Sequence, residues 1–441
     1  MATVRRMREG EAGAVLRALE SGGSTARSED SWRQDRMTAL VLAEGDALCG
    51  VMPLARREVR AAPGNARVNV GWLSSNQFAS RMGLRRGTRG TFGAWAELLP
   101  EVDALLAVVR DERSPAARWY EQTGFHGVLS IRCLYLDMQD GLSAVADAGM
   151  AGAGSGGGGG GGARYHVQTV SAGDAGFAER WQAEMWSVYQ EVYRETGGAV
   201  PRGPGFWQGT LAHHFYQRHY QFQVLGLWTG AGPGAGGDGG GTLMGYAVVG
   251  WSGWHSKRPR MDILELATRQ WDTGVASALI RAACELAWSK NVHQVRAVVS
   301  VHDPYRGHLA RSGFVDRWGY LMQARWLHAQ RYLDRVRAEA AASVGAGCGG
   351  GMEFAAPGMG PLWLRGDASP AGGAVLRVES DGAILTRLLL HRLDVPQAVE
   401  EGRLAVRGGS ASGREGSAEA VMKLSMAFRW TPWIFHMLDY I

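Results

Sequence analysis

Two stretches of the chain carry residues whose types and spacing could do chemistry. The first is Arg85-Arg86-Gly87-Thr88-Arg89-Gly90, which precedes a segment with Phe92, Trp95, Leu98 and Leu99 on one helical face. A turn at that place lies at a helix N-terminus, where backbone N–H groups have no intrahelical partner and the helix dipole favours an anion. A pyrophosphate fits such a turn, with glycine allowing close approach and arginine adding charge-assisted hydrogen bonds. The same six residues also read as an exposed basic turn or an Arg-Gly nucleic-acid segment. The second stretch ends in Tyr120-Glu-Gln-Thr-Gly124-Phe125. A tyrosine phenol of unperturbed pKa about 10 is protonated at neutral pH and can give its proton to a stronger base. By themselves Trp119 and Tyr120 read equally well as core aromatics.

Other chemistries find little support. Cys49, Cys133, Cys284 and Cys348 are scattered without a CxxC pair, which argues against a zinc site and a disulfide framework. His213, His214, His302 and His308 show no HExxH or similar ligand spacing, so no metal is expected, and no GxSxG elbow supports a serine hydrolase. A formal GxGxxG match at Gly232, Gly234 and Gly237 precedes the strand-like TLMGYAVV instead of opening a helix, so it reads as a hairpin tip.

Composition narrows the field further. Across 441 residues the hydrophobic content is 46% and the charged content 20%, as in globular proteins, and the length calls for two or three domains. No apolar run approaches the ~18 residues of a membrane span, and MATVRRMREGEAG lacks an apolar signal core, so a cytoplasmic protein without membrane contact is expected. The net charge of +5 is modest for this length and is spread without Lys/Arg blocks, so no nucleic-acid partner is expected. Only Lys257, Lys290 and Lys423 are lysines, which points to compositional bias toward arginine.

The elements that must position Tyr120 are legible around it. Leu105–Val109 is a short apolar run consistent with a buried strand, stopped by the charged turn 110–113. Ser114 suits an N-cap, Pro115 the first helical position, and Gly124 a left-handed helix stop. Upstream, residues 3–7 read as a strand and 11–19 as a helix, followed by strands at 39–43, 48–56 and 68–73. A glycine-rich tract with seven consecutive glycines ends at Gly162, and as a flexible linker of roughly twenty residues it spans about 25 Å r.m.s.. Beyond it, Ile263–Thr268 and Val295–Val301 read as strands, with Val275, Leu279, Ala283 and Leu286 on one face of a helix between them.

Taken together, the anion turn and the Tyr120 helix about thirty residues later resemble the GNAT N-acetyltransferases. In more detail, Arg85-Arg86-Gly87 and the preceding GVMPLARREVRAAPGNARVNVGW resemble the Eis (enhanced intracellular survival) acetyltransferases. Thr88 stands where the usual GNAT loop has its first glycine. After the linker, RGPGFWQG, ILELAT and Ser312-Gly313-Phe314 resemble a second, degenerate GNAT domain, with Leu309 at the position Tyr120 holds in the first. DGAILTRLLLHRLDVPQAVEEGRLAVRG resembles the sterol-carrier-protein-like domain that closes Eis-type chains. The fold class implied is α+β (mixed α/β), tandem GNAT folds followed by a sterol-carrier-protein-like α+β domain. The implied boundaries are a catalytic domain at 1–142, a linker at 143–163, a degenerate domain at 164–324 and the last domain at 325–441.

The resemblance implies an acetyl-CoA-dependent N-acetyltransferase acting on a primary amine of a small aminoglycoside- or polyamine-like molecule. Acetyl-CoA is then a co-substrate bound by Arg85 to Gly90, and Tyr120 is the general acid. The base implied is the terminal carboxylate carried by Ile441, on the apolar segment WTPWIFHMLDYI, which is expected to be docked. A homo-oligomer, hexameric by the resemblance, is implied as well. The alternative is a non-catalytic protein that uses the fold to bind acyl-CoA or an apolar ligand as a sensor or carrier.

Overall fold

The structure is a computed structural model, and it describes residues 3–20, 37–45, 47–62, 66–73, 95–110, 113–138, 165–171, 174, 180–203, 205–213, 221–229, 241–252, 259–344, 351–357, 359–364, 375–407 and 414–436. In chain order the first elements are β1 (Thr3–Arg6), α1 (Ala12–Glu20), β2 (Met37–Glu44), β3 (Ala47–Arg60) and β4 (Arg67–Leu73). There follow α2 (Trp95–Leu98), β5 (Ala104–Val109), α3 (Pro115–Gln122), β6 (His126–Asp137) and β7 (Tyr165–Val170). The middle of the chain forms α4 (Arg180–Tyr193), α5 (Phe206–His213), β8 (Gln221–Thr229), β9 (Thr242–Ser252) and β10 (Arg260–Thr268). After a 3-10 turn at Arg269–Trp271 come α6 (Thr273–Ser289), β11 (Gln294–Ser300), α7 (Tyr305–Arg311) and β12 (Val315–Trp326). The last part holds α8 (Ala329–Val344), β13 (Met352–Ala356), β14 (Met359–Leu364), β15 (Leu376–Ser380), α9 (Gly382–Leu389), α10 (Val395–Glu400), β16 (Leu404–Arg407) and α11 (Arg414–Ala427).

The chain divides into two compact units, each assembled from separate stretches. One comprises Met1–Ser130, Glu195–Val200 and Tyr320–Trp433, and the other Ile131–Arg194, Pro201–Gly319 and Ile434–Ile441. In the first unit β1 to β4 pair antiparallel in sequence, β4 pairs parallel with β5 from Val70↔Ala104 to Leu73↔Ala107, and β5 pairs antiparallel with Leu321–Trp326 of β12. In the second unit β7 to β10 pair antiparallel, β10 pairs parallel with β11 from Arg260↔Gln294 to Ile263↔Ala297, and β11 pairs antiparallel with Ile131–Asp137 of β6. The order and directions are the same in both. The sixth strand of each sheet comes from the other half of the sequence, since β6 follows α3 and β12 follows α7.

The sequence accounts for the central strands directly. All six residues of β5 are buried, as an unbroken apolar run flanked by partners on both sides requires. Gly71 in β4 gives the core room, because a Cβ there would lie 2.6 Å from a methyl of Leu54 and 2.8 Å from one of Leu105 and both leucines would have to shift. The first unit also holds the four-stranded sheet β14-β13-β15-β16. Its helices start as their sequences require. Asp381 accepts from Ile384 N at 2.7 Å to cap α9, and Asp394 caps α10 ahead of Val395 and Pro396. Leu424 and Phe428 are buried, and Phe428 meets Phe354 edge-on with ring centroids 5.5 Å apart.

One buried carboxylate ties α8 to β4 and β5 within this unit. Asp103, fully buried just before β5, accepts from Asn69 N at 2.9 Å and from Arg331 Nε at 2.7 Å, and also pairs with Arg335. Both arginines are partly exposed, so removing the carboxylate leaves them able to turn to water, while Asn69 N–H is orphaned. Asp103→Ala is therefore expected to lower the stability of this unit by about 2–3 kcal/mol, below the full cost of breaking a sealed ion pair. A urea titration followed by circular dichroism measures it, and a change under about 0.5 kcal/mol would contradict the assignment.

Candidate functional site

Every expected feature of the Tyr120 helix is present. Ser114 Oγ accepts from Ala117 N at 3.1 Å, Pro115 opens α3, and Gly124 takes φ +85°. At the C-terminal end the carbonyl of Tyr120 accepts three hydrogen bonds, from Thr123 N at 3.0 Å, Phe125 N at 3.0 Å and Thr123 Oγ1 at 2.8 Å. The backbone that carries the phenol is thereby fixed. Arg325, delivered by β12, donates from Nη1 to Thr123 O at 2.7 Å. A cation there satisfies a terminal carbonyl and opposes the negative end of the helix dipole. Burial pulls the Arg325 pKa down from its ordinary value, which is the cost of holding this cation inside.

The Tyr120 ring is wedged between Trp119 and Phe125, with centroids 5.0 and 4.8 Å away and both contacts edge-on. It is 4% exposed and belongs to an apolar cluster with Leu73 at the end of β4 and Ala107 and Val109 at the end of β5. The same cluster holds Leu54, Val102 and Leu105, so Tyr120 belongs to the core that α3 forms with the central strands. Desolvation raises its pKa above the ordinary phenol value, so the group is a neutral proton carrier across the physiological range. Glu121, its neighbour on the helix, is exposed, as adjacent helical positions require.

Arg85, Arg86, Gly87, Thr88, Arg89 and Gly90 lie outside the described residues, as does Ile441. Of the helix after the anion turn, Trp95 to Leu98 is described, with Trp95 and Leu99 buried. Of the closing segment, Trp430 to His436 is described: Trp430 is exposed, while Thr431 and Trp433 to His436 are buried.

The second unit repeats the geometry around α7 and changes the chemistry. Gly313 has φ +88°, and Phe314 N donates to Leu309 O at 3.1 Å, matching Gly124 and the bond from Phe125 to Tyr120. Leu309 therefore occupies the place of Tyr120, is buried, and has no proton to give. Two tyrosines that the sequence reading did not single out occupy the backbone of β10. Tyr193 OH donates to Leu266 O at 2.5 Å, and Tyr305 OH accepts from Thr268 N at 2.9 Å and shares a hydrogen with Thr268 Oγ1 at 2.8 Å.

Beside them is a buried ion pair, Arg202 with Glu265, both side chains sealed from water. Glu265 also accepts from Tyr246 OH at 2.5 Å and Trp207 Nε1 at 3.3 Å, and the Arg202 guanidinium lies 4.3 Å from the ring centroids of Tyr189 and Phe206. Burial alone would raise the Glu265 carboxyl, but Arg202, His436 and these hydrogen bonds outweigh it and hold the pKa below the ordinary value. A signal existed in the sequence, since a lone Glu inside the apolar run ILELAT demands a partner. His308, among the histidines considered as ligands, bonds Ser277 Oγ at 2.9 Å. Among the described residues no three His, Cys, Asp or Glu side chains converge as metal ligands.

No protein-family model matches this sequence, and no curated protein matches it by sequence. Solved structures do match over the whole chain. One is a protein of Enterococcus faecalis described as a probable N-acyltransferase, with TM-score 0.64 at 11% identity, covering 99% of this chain and 98% of the other. A GCN5-related N-acetyltransferase of Anabaena variabilis gives 0.61 at 13% identity over 98% and 99%. Eis1 of Mycobacterium abscessus gives 0.52 at 12% identity over 98% and 99%. At these identities the likeness establishes the fold, which is that of the GCN5-related N-acetyltransferases, present here in two copies.

Proposed function

We propose that the chain is an N-acetyltransferase that moves an acetyl group from acetyl-CoA to a primary amine, with the chemistry in the first unit. The observation that carries this reading is Tyr120, its backbone held at the end of α3 by three hydrogen bonds to its carbonyl and its phenol kept protonated by burial, on the helix that directly follows β5. The neutral amine attacks the thioester carbonyl, the C–N bond forms, the C–S bond breaks, and the amine's surplus proton must reach the departing sulfur. Tyr120 hydrogen-bonds that sulfur. Its raised pKa keeps the phenol protonated but makes full transfer to a thiolate, of thiol pKa about 8.5, unfavourable unless the ammonium formed on attack returns a proton. Tyr120 thus serves as a relay whose net proton balance is zero.

In this reading the residues Arg85 to Gly90 hold the pyrophosphate through backbone N–H groups and arginine charge, and the carboxylate of Ile441 orients a water or steadies the ammonium, which gives up a proton to solvent before the neutral amine attacks. The acceptor is an aminoglycoside- or polyamine-like small molecule, the assembly is a homo-oligomer, and the β13 to β16 layer is a sterol-carrier-like scaffold. The second unit is silent. Leu309 supplies no proton, and Tyr193 and Tyr305 already engage the β10 backbone.

Calorimetric titration with acetyl-CoA is accordingly expected to give one site per chain, with Arg85→Glu weakening it in a salt-dependent way. Two sites per chain, or unaltered affinity in the variant, would count against the assignment. Arg325→Ala, which strips the cation from the C-terminal end of α3, is expected to lower kcat about fivefold, equivalent to about 1 kcal/mol, with Arg325→Lys recovering part of the loss. An unchanged kcat would show that the helix end needs no such support. The second reading, a sensor or carrier of acyl-CoA, is favoured by the near-complete burial of Tyr120 and predicts binding without turnover.

A further inference from the structure

In the second unit β10 and β11 stop pairing at Ile263↔Ala297, although β10 continues to Thr268 and β11 to Ser300. An irregularity in the β10 register between Ile263 and Glu265 marks the place where the strands part. Beyond it lies a small cleft lined by Glu265, Leu266, Val299, Asp303, Tyr305 and Leu309, with little space left free. An opening at the carboxyl ends of two parallel strands is where an open sheet binds its ligands. Leu309 brings no phenol to the place Tyr120 holds in the first unit, the adjacent backbone groups of Leu266 and Thr268 are bonded to tyrosines, and the carboxyls of Glu265 and Asp303 stand beside them, so the cleft is ill suited to an anionic acyl-CoA. It is well suited to an apolar and aromatic group.

Such a group is present. Phe435 and His436 line the same cleft and are 4% and 5% exposed. The His436 ring meets Tyr193 nearly perpendicularly with centroids 4.5 Å apart, and Tyr189 lies 6.2 Å away. Residues 434–436 form neither helix nor strand, and they arrive from the far end of the sequence. Burying one phenylalanine and one imidazole stabilises by about 2–4 kcal/mol, an amount suited to a contact that opens and closes.

We propose that the cleft between β10 and β11 is a peptide-binding site whose ligand is the chain's own aromatic-imidazole pair, Phe435–His436. The second copy of the fold is then a receptor for the closing segment of the chain, an activity that does not depend on whether the first unit transfers acetyl groups. The test uses the full chain and the variant with Phe435→Ala and His436→Ala. In the variant, amide exchange at Leu266 to Thr268 is expected to accelerate at least about tenfold while α6 amides keep their wild-type rates. A labelled synthetic peptide IFHMLD, matching Ile434 to Asp439, is expected to bind the variant at least about tenfold more tightly than the wild type and to restore the protection. Equal peptide binding to both proteins, or to neither, would overturn the proposal. So would a uniform rise in exchange across the unit, which would make the segment part of the core and not a bound ligand.

Discussion

Tyr120→Phe is expected to lower kcat by about 10²-fold or more while leaving the dissociation constant for acetyl-CoA within about twofold. The substitution keeps the ring that packs between Trp119 and Phe125 and removes only the hydroxyl, so neither the helix nor the apolar cluster changes. An interaction made only as charge builds on sulfur affects kcat and kcat/KM together, whereas lost packing would appear as lost stability. The pH dependence has a definite sign. Because desolvation raises the phenol pKa, Tyr120 stays protonated beyond the ordinary tyrosine range, and no loss of activity between pH 7 and about 10 is due to its ionisation. Steady-state rates of thiol release for wild type and variant decide the matter, and equal rates would return Tyr120 to the role of a core aromatic.

Glu265→Ala is expected to destabilise the second unit by about 3–5 kcal/mol, the cost of leaving a sealed charge without its partner. The variant strands the Arg202 guanidinium among Tyr189, Phe206 and Trp207, and it takes the acceptor from Tyr246 OH and Trp207 Nε1. Protonation should mimic it. The Glu265 pKa is held below its unfolded value, so the pair contributes stability above the unfolded carboxyl pKa and loses it as pH falls through the lowered folded value. Wild-type stability should thus decline toward acid more steeply than that of the variant. Parallel thermal melts at neutral and acid pH check this, and curves that fall together would show that the pair contributes nothing through its charge.

What could be read from the sequence was local. Ser114, Pro115 and Gly124 each act within a few residues of themselves, so the helix carrying Tyr120 was legible from start to stop. The same holds for Asp381 and Asp394, whose capping side chains fix α9 and α10. What could not be read was pairing at a distance. Nothing in the pattern of β6 or β12 says that each completes a sheet begun in the other half of the chain, because an apolar strand fits either edge. Consequently Arg325 could not be foreseen as the cation at the end of α3. Glu265 was in view as part of ILELAT, but its partners Arg202, Trp207 and Tyr246 come from three other elements or loops, and only the fold collects them.

Turnover in the first unit is open to direct measurement. The direct measurement is release of free CoA thiol from acetyl-CoA by the wild-type chain across a panel of primary amines that includes aminoglycosides and polyamines. Amine-dependent release that saturates in both substrates is expected. Acetyl-CoA that binds the chain yet is not consumed with any amine would contradict it and leave a protein that uses this fold only to hold its ligand.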